Sequence, residues 1–252
     1  MLSAERKLKI AEMVGKNGGI RTSELSDIFS VSEMTVLRDL ATLEKQGILT
    51  RVYGGAVSSQ SFSAETSNIV REKIRTTEKN KIASLASKLI NEGDNIFLDG
   101  STTTHALAKR LHNFKELKVV SIGLDILNEL KDIDGVEVIS PGGVLDKITM
   151  NFLGRSTEEF LKNLNSDKAF ISTSGISIKA GLTEANPQQA FIKKIMLENA
   201  QQRILLADGS KYDVIVLNRI CGLGDLDIVI TDNKPDNKYY HFFKQNDIKV
   251  LY

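Results

Sequence analysis

Two stretches of the chain hold side chains whose types and spacing could do chemistry. In Leu98-Asp99-Gly100-Ser101-Thr102-Thr103-Thr104 a carboxylate, a glycine and four hydroxyls follow a short apolar run. Small residues let a ligand approach the backbone, and the amides and dipole at the start of the next helix favour a phosphate or carboxylate. An ordinary strand-to-helix turn with Ser or Thr caps has the same composition, and spacing alone does not separate the two. In residues 30–56, Met34, Thr35, Arg38, Thr42 and Lys45 fall on one side of a helix at about 100° per residue, and Arg51 follows on an alternating run. Such a face suits the base edges and phosphates of a nucleic-acid duplex. Other groupings are poorer. His105 and His112 lie roughly 10 Å apart along one helix, too far to share an ion, and His241 is near the far end. The single Cys221 excludes an internal disulfide and cannot by itself supply a zinc site. Gly222-Leu223-Gly224-Asp225 lacks the strand-loop-helix context of a dinucleotide fingerprint and reads as a turn. Neither a metal nor a cofactor is expected.

The elements that must position the polar helix are legible around it. Ser32 stands where an N-cap belongs, and Val36, Leu40 and Leu43 form a stripe opposite Arg38 that must be buried. Gly47 is the expected stop. Residues 48–52 alternate like a strand, and Gly54-Gly55 supplies the turn of a wing. Upstream, Leu8, Ile10, Ala11 and Val14 give a first helix broken at Gly18-Gly19, and Leu25, Ile28 and Phe29 give a short second helix. Three helices and a ribbon within residues 1–57 outline a winged helix-turn-helix, whose last helix enters a major groove. The competing reading is a small helical oligomerisation module, against which the short second element and the capped third argue.

VSEMTVLRDLATLEKQGILTRVYGGA resembles the DNA-binding signature of the DeoR family of bacterial transcriptional regulators. The matching residues are Val31, Ser32, Thr35, Arg38, Asp39, Leu40, Leu43, Glu44, Gly47, Arg51, Gly54, Gly55 and Ala56. Many members carry two arginines before the aspartate, whereas this chain has Leu37-Arg38, so an operator sequence does not carry over. The resemblance implies a double-stranded DNA operator as partner, with Ser32, Met34, Thr35, Arg38, Thr42, Lys45 and Arg51 at the contact. Eight basic and seven acidic residues through Val57 leave this module nearly neutral. Nonspecific binding should therefore be modest, and specific binding needs two copies on two half-sites, which implies a homo-oligomer, dimer or tetramer.

Residues 58–67 are serine-rich and read as a linker. From residue 68 onward the pattern alternates. Helices are expected at 69–90 (broken near Thr76-Thr77), 103–111, 124–130, 156–161, 187–199 and 235–244. Strands are expected at 95–98, 118–122, 136–139, 169–171, 204–207, 214–216, 228–230 and 249–251. This is an α/β domain with a mostly parallel sheet covered on both faces. Its ligands belong beyond the carboxyl ends of the strands.

This half resembles the DeoR-type sensor domain, whose core is similar to ribose-5-phosphate isomerase. Matching blocks include the Asp99–Thr104 loop with Gly100 and Ser101 in swapped order, Pro141-Gly142-Gly143, Phe152-Leu153-Gly154, Gly181-Leu182-Thr183 and Ala207-Asp208-Gly209-Ser210-Lys211. The resemblance implies a pocket for a phosphorylated sugar or related metabolite. Ser101, Thr102 and Thr103 would hold the phosphate, with Gly100, Gly142 and Gly143 also lining the pocket. Asp99 and Asp208 would accept hydroxyls, and Lys194 or Lys211 would neutralise charge. Lys193 lies about 100° from Lys194, so one of the two is expected to be solvated, and Asp208 could simply cap its own turn. The alternative is a sugar-phosphate isomerase-like enzyme with a tethered DNA-binding module. Isomerisation needs a carboxylate base, and residues 170–176 carry none; Glu184 is the nearest acid downstream. A regulator that kept a pocket without a base is the simpler account, with no catalytic residue expected. A content of 41% hydrophobic residues in 252 suits two cores. No apolar run of 18 residues and no signal-peptide pattern occur, so a soluble, cytoplasmic protein without a membrane partner is expected.

Overall fold

The computed structural model describes residues 2–17, 19–45, 48–58 and 68–252. By internal contacts the chain divides into two units, Met1–Ile74 and Arg75–Tyr252.

The first unit runs α1 (Ser3–Asn17), β1 (Gly19–Arg21), α2 (Thr22–Phe29), α3 (Glu33–Lys45), β2 (Leu49–Val52), β3 (Gly55–Ser58) and α4 (Asn68–Lys73). The expected stripe of α3 is buried: Val36, Leu40 and Leu43 join Ile10, Val14, Leu25 and Phe29 in one core. Ile28 departs from expectation, being 53% exposed while Leu25 and Phe29 turn inward. The wing has three strands in the order β1-β3-β2, because Gly19–Arg21 pairs antiparallel with residues 55–57. Gly55 sits where a Cβ would meet the carbonyl oxygen of Ile20 at 2.3 Å, so this crossing requires glycine. The expected stop at Gly47 and the linker residues 59–67 lie outside the described residues. Ser58, expected to open that linker, belongs to β3, and α4 groups with the first unit.

The second unit opens with α5 (Thr76–Ser87) and then alternates β4 (Asn95–Leu98), α6 (Thr102–Ala108), β5 (Leu117–Ser121), α7 (Leu124–Leu130) and β6 (Val136–Ile139). A hairpin of β7 (Val144–Asp146) and β8 (Asn151–Leu153) follows, then α8 (Arg155–Lys162) and β9 (Ser166–Ile171). Next come β10 (Gly175–Ser177), β11 (Gly181–Glu184), α9 (Pro187–Glu198), β12 (Ala200–Leu206) and β13 (Asn218–Cys221). The unit ends with β14 (Ile228–Ile230), α10 (Asn237–Gln245) and β15 (Lys249–Leu251).

Seven strands form one sheet in the order β15-β14-β12-β9-β4-β5-β6, every pair parallel. Its two apolar faces bury separate clusters. One holds Ile82, Leu107 and Ile126 from α5 to α7; the other holds Leu161, Ile192 and Phe243 from α8 to α10. A strand buried on both sides must be apolar throughout, which is why Ile96-Phe97-Leu98 and Ile228-Val229-Ile230 show no alternation. The strand expected at 214–216 is absent; β13 lies further on and pairs with β11 in a small antiparallel sheet, β10-β11-β13. Among the described residues no helix is long and apolar enough to cross a membrane, and no cluster of three or more His, Cys, Asp or Glu could hold a metal ion.

Candidate functional site

Each unit carries a candidate site. In the first, Ser32 opens α3, its Oγ accepting the Thr35 amide at 3.3 Å and lying 3.0 Å from Thr35 Oγ1. With the apolar stripe buried, the opposite side must face outward. Met34 is 61% exposed, Arg38 is exposed, and Thr35 and Thr42 are half-buried beside them. Thr42 returns its hydroxyl to the Arg38 carbonyl at 2.9 Å. The side chain of Lys45 lies outside the described residues.

Asp39, adjacent to Arg38 in sequence, points the other way. Its Oδ2 accepts Arg6 Nε at 2.6 Å, its Oδ1 accepts Ser3 Oγ at 3.3 Å, and both charged side chains are buried. The Arg-Asp dipeptide thus splits into an outward cation and an inward clamp tying α3 to α1. On the wing, Arg51 is exposed but engaged: Glu44 accepts its backbone amide at 2.9 Å and its Nε at 2.6 Å.

In the second unit the polar residues gather beyond the carboxyl ends of adjacent strands. Asp99, following β4, is wholly buried. Its Oδ1 accepts the Ser101 amide at 3.0 Å and lies 2.8 Å from Thr104 Oγ1. Its Oδ2 accepts the Ser172 amide at 2.8 Å and lies 3.4 Å from Lys193 Nζ. Both carboxylate oxygens are thus engaged by the protein, and Asp99 ties its own loop to the segment after β9. Ser101 Oγ caps α6 by accepting the Thr104 amide at 3.2 Å, and Ser101, Thr102 and Thr103 are all buried.

Lys193 also reaches Glu184 Oε2 at 2.5 Å, with both groups buried. Glu184 Oε1 in turn accepts the Ala185 amide at 2.9 Å and the hydroxyl of Ser174. Lys194 points outward on the same helix and pairs with Glu198 at 3.7 Å. The lysine brought to the cluster is Lys193, whereas Lys194 lies on the exposed side of α9. At about 100° per residue Lys193 lies within the arc of Gln189, Ala190, Met196 and Leu197, whereas Lys194 lies toward the exposed Phe191 and Glu198.

A second group follows β12 and β14. Asp208 Oδ1 accepts the Ser210 amide at 2.9 Å and its hydroxyl at 2.5 Å, and Arg75 Nε approaches at 3.6 Å. Asp232 Oδ1 accepts the Gly209 amide at 2.7 Å. Burial pushes the Asp208 carboxyl up, but the Lys211 charge, the two Ser210 bonds and Arg75 outweigh it and hold it below the usual range. Gly142 and Gly143 lie at positive φ beside α8. Thr157 donates its hydroxyl to the Gly142 carbonyl at 2.6 Å, and a Cβ on Gly143 would meet Thr157 Oγ1 at 2.2 Å.

Gly100 has a steric cause. A Cβ there would fall 1.7 Å from Oδ1 of Asn151, whose carboxamide reaches in from β8 and is 2% exposed. That Oδ1 has no hydrogen-bond partner among the described residues. Cys221 ends β13, and burial pushes its thiol up to about 12, so it stays protonated at neutral pH.

Residues 6–62 match the model of the DeoR-like helix-turn-helix domain, and residues 74–233 match that of the DeoR C terminal sensor domain. The chain belongs to the DeoR family. Among its relatives is the HTH-type transcriptional regulator YulB of Bacillus subtilis, 40% identical over 99% of this chain and 96% of that one. The lactose phosphotransferase system repressor of Staphylococcus epidermidis is 34% identical over 93% of this chain and 94% of its own length. A solved ribose 5-phosphate isomerase from Methanocaldococcus jannaschii is 18% identical, with a TM-score of 0.39 over 53% of each chain. In this DeoR-family chain the helix-turn-helix match spans α1 to β3, and the sensor match spans the loops that carry Asp99, Glu184, Lys193 and Asp208.

Proposed function

We propose that the protein is a sequence-specific DNA-binding repressor of sugar-metabolism genes, acting as a homo-oligomer and controlled by a phosphorylated sugar or related metabolite. The observation that carries the reading is the two-sided α3: Val36 and Leu40 fully buried, Arg38 and Met34 exposed. This side of the helix is free to enter a major groove, where Arg38 can pair with guanine O6 and N7. The kinship with a sugar-uptake repressor supports the choice of regulated genes. Ser101, Thr102 and Thr103 hold the anionic end of the effector, beside the Lys193 charge and the Lys211 turn. Effector occupancy then changes operator affinity roughly five- to 150-fold, the range of a coupling of about 1–3 kcal/mol.

Glu184 reads as part of that recognition cluster. This carboxylate is engaged by Lys193, Ser174 and the Ala185 amide, contacts that suit a fixed recognition group. No turnover of ribose 5-phosphate is expected, and steady conversion abolished by Glu184→Gln would refute that.

The test is selection of duplexes by the full chain from a random pool, followed by titration with a panel of sugar phosphates. An enriched two-fold-symmetric sequence is expected, with half-sites an integral number of helical turns apart. Arg38→Ala should weaken binding by about 1–3 kcal/mol and relax preference at one base pair. Absence of any enrichment at low salt would sink the duplex reading. An operator affinity indifferent to every sugar phosphate would sink the effector reading.

A further inference from the structure

Glu44 is an acidic residue in a place where duplex binding disfavours one. At about 100° per residue it sits roughly 80° round α3 from Val36, between the buried stripe and the outer face. A carboxylate there repels phosphate, and the ion pair it forms is too exposed, at 44% and 35%, to contribute much to the fold.

Its geometry suggests another use. Both carboxylate oxygens bind one residue, Oε1 the Arg51 backbone amide and Oε2 the Arg51 Nε. Arg51's amide and guanidinium together hold the Glu44 carboxyl below the usual carboxylate range. One contact places the strand and the other fixes the side chain. With Nε taken, the forked Nη end of the guanidinium still has four of its five N–H donors. The far end of the wing is pinned separately, by the Thr22 amide donating to the Gly54 carbonyl at 2.9 Å and by the crossing at Gly55. The ribbon is therefore braced against both α2 and α3, with the fork of Arg51 as its aimed cation.

We infer that Glu44 is a positioning residue for duplex binding: it aims Arg51 at a phosphate beside the groove that α3 enters. The inference rests on the duplex reading above, and it assigns Glu44 a favourable effect that its charge alone would make unfavourable.

A double-mutant cycle decides it. Wild type, Glu44→Ala, Arg51→Ala and the double variant, all full-length, are titrated by fluorescence anisotropy at several salt concentrations. The probes are a duplex selected by wild type from a random pool and a scrambled duplex of the same composition. Glu44→Ala and Arg51→Ala should each weaken the selected duplex about tenfold and lower the salt slope by about one. The double variant should bind no more weakly than Arg51→Ala. Tighter binding on removing Glu44 in both backgrounds would mean that it only repels phosphate, and would overturn the proposal. Equal weakening in both backgrounds, with earlier melting, would mean that it only supports the fold, and would overturn it too. If wild type enriches no duplex, the parent reading fails, an outcome distinct from a cycle in which Glu44 and Arg51 act independently.

Discussion

Replacing Asp39 by alanine separates a clamp from a groove contact, because the two roles predict different losses. The Arg6–Asp39 pair is buried, with side chains 9% and 6% exposed and a 2.6 Å contact. Removing the carboxylate strands a guanidinium in the interior between α1 and α3, and breaking a buried pair on one side costs about 3–5 kcal/mol. Against that, a module of this size has roughly 0.05–0.15 kcal/mol of stability per residue, or about 3–9 kcal/mol for some 57 residues. The substitution should therefore remove a large part of the first unit's stability, and duplex binding with it. The companion variant Arg6→Met with Asp39→Leu leaves no orphaned charge and should be close to neutral. A two-unit chain does not melt in one step, so amide hydrogen exchange resolved on α1 and α3 is the suitable assay. A loss of protection below about 1 kcal/mol for Asp39→Ala, together with abolished binding, would refute the clamp. It would instead place Asp39 against the duplex.

Two further outcomes concern the second unit. Lys193→Met should cost about 3–5 kcal/mol, because it leaves Glu184 and Asp99 buried without the cation they share, whereas Lys194→Met should stay within about 0.5 kcal/mol; amide hydrogen exchange resolved on the second unit's central strands compares them. The depressed Asp208 carboxyl contributes stability that is complete above its unfolded value of about 3.9 and is lost as pH falls through the lower folded value. Asp208→Asn should therefore flatten the stability curve below about pH 4 and leave a constant offset near neutrality. A difference that instead grew between pH 6 and 8 would assign the effect to another group.

The sequence disclosed those parts whose signal is local. The stripe of α3 follows from helical spacing, and the two-faced burial of β4, β12 and β14 from short unbroken apolar runs. What it concealed depends on partners far along the chain. β1 is three residues long and exists because residues 55–57 pair with it. Residues 214–216 look like a strand, but Val216 gives its amide to Thr183 Oγ1 at 3.1 Å, a side-chain bond that takes the place of a ladder. Real pairing starts at Asn218, in a strand with a single fully buried residue, Ile220. Ile28 shows the limit of hydropathy on a short helix: eight residues expose one side, and an apolar residue there stays in solvent. In the sensor loop the residue types were visible, but not the partners of Asp99, since Ser172 follows β9 and Lys193 comes from α9.

The Asn151 carboxamide and the bare Cα of Gly100 constrain each other sterically. Any side chain at 100 collides with the amide, while trimming 151 first opens a void beneath a glycine. A side chain at 100 therefore fits only where residue 151 is smaller, so the glycine of this loop answers to what stands on the hairpin opposite. In other sequences with this fold, a residue with a side chain at the first position should travel with a shortened partner at the second.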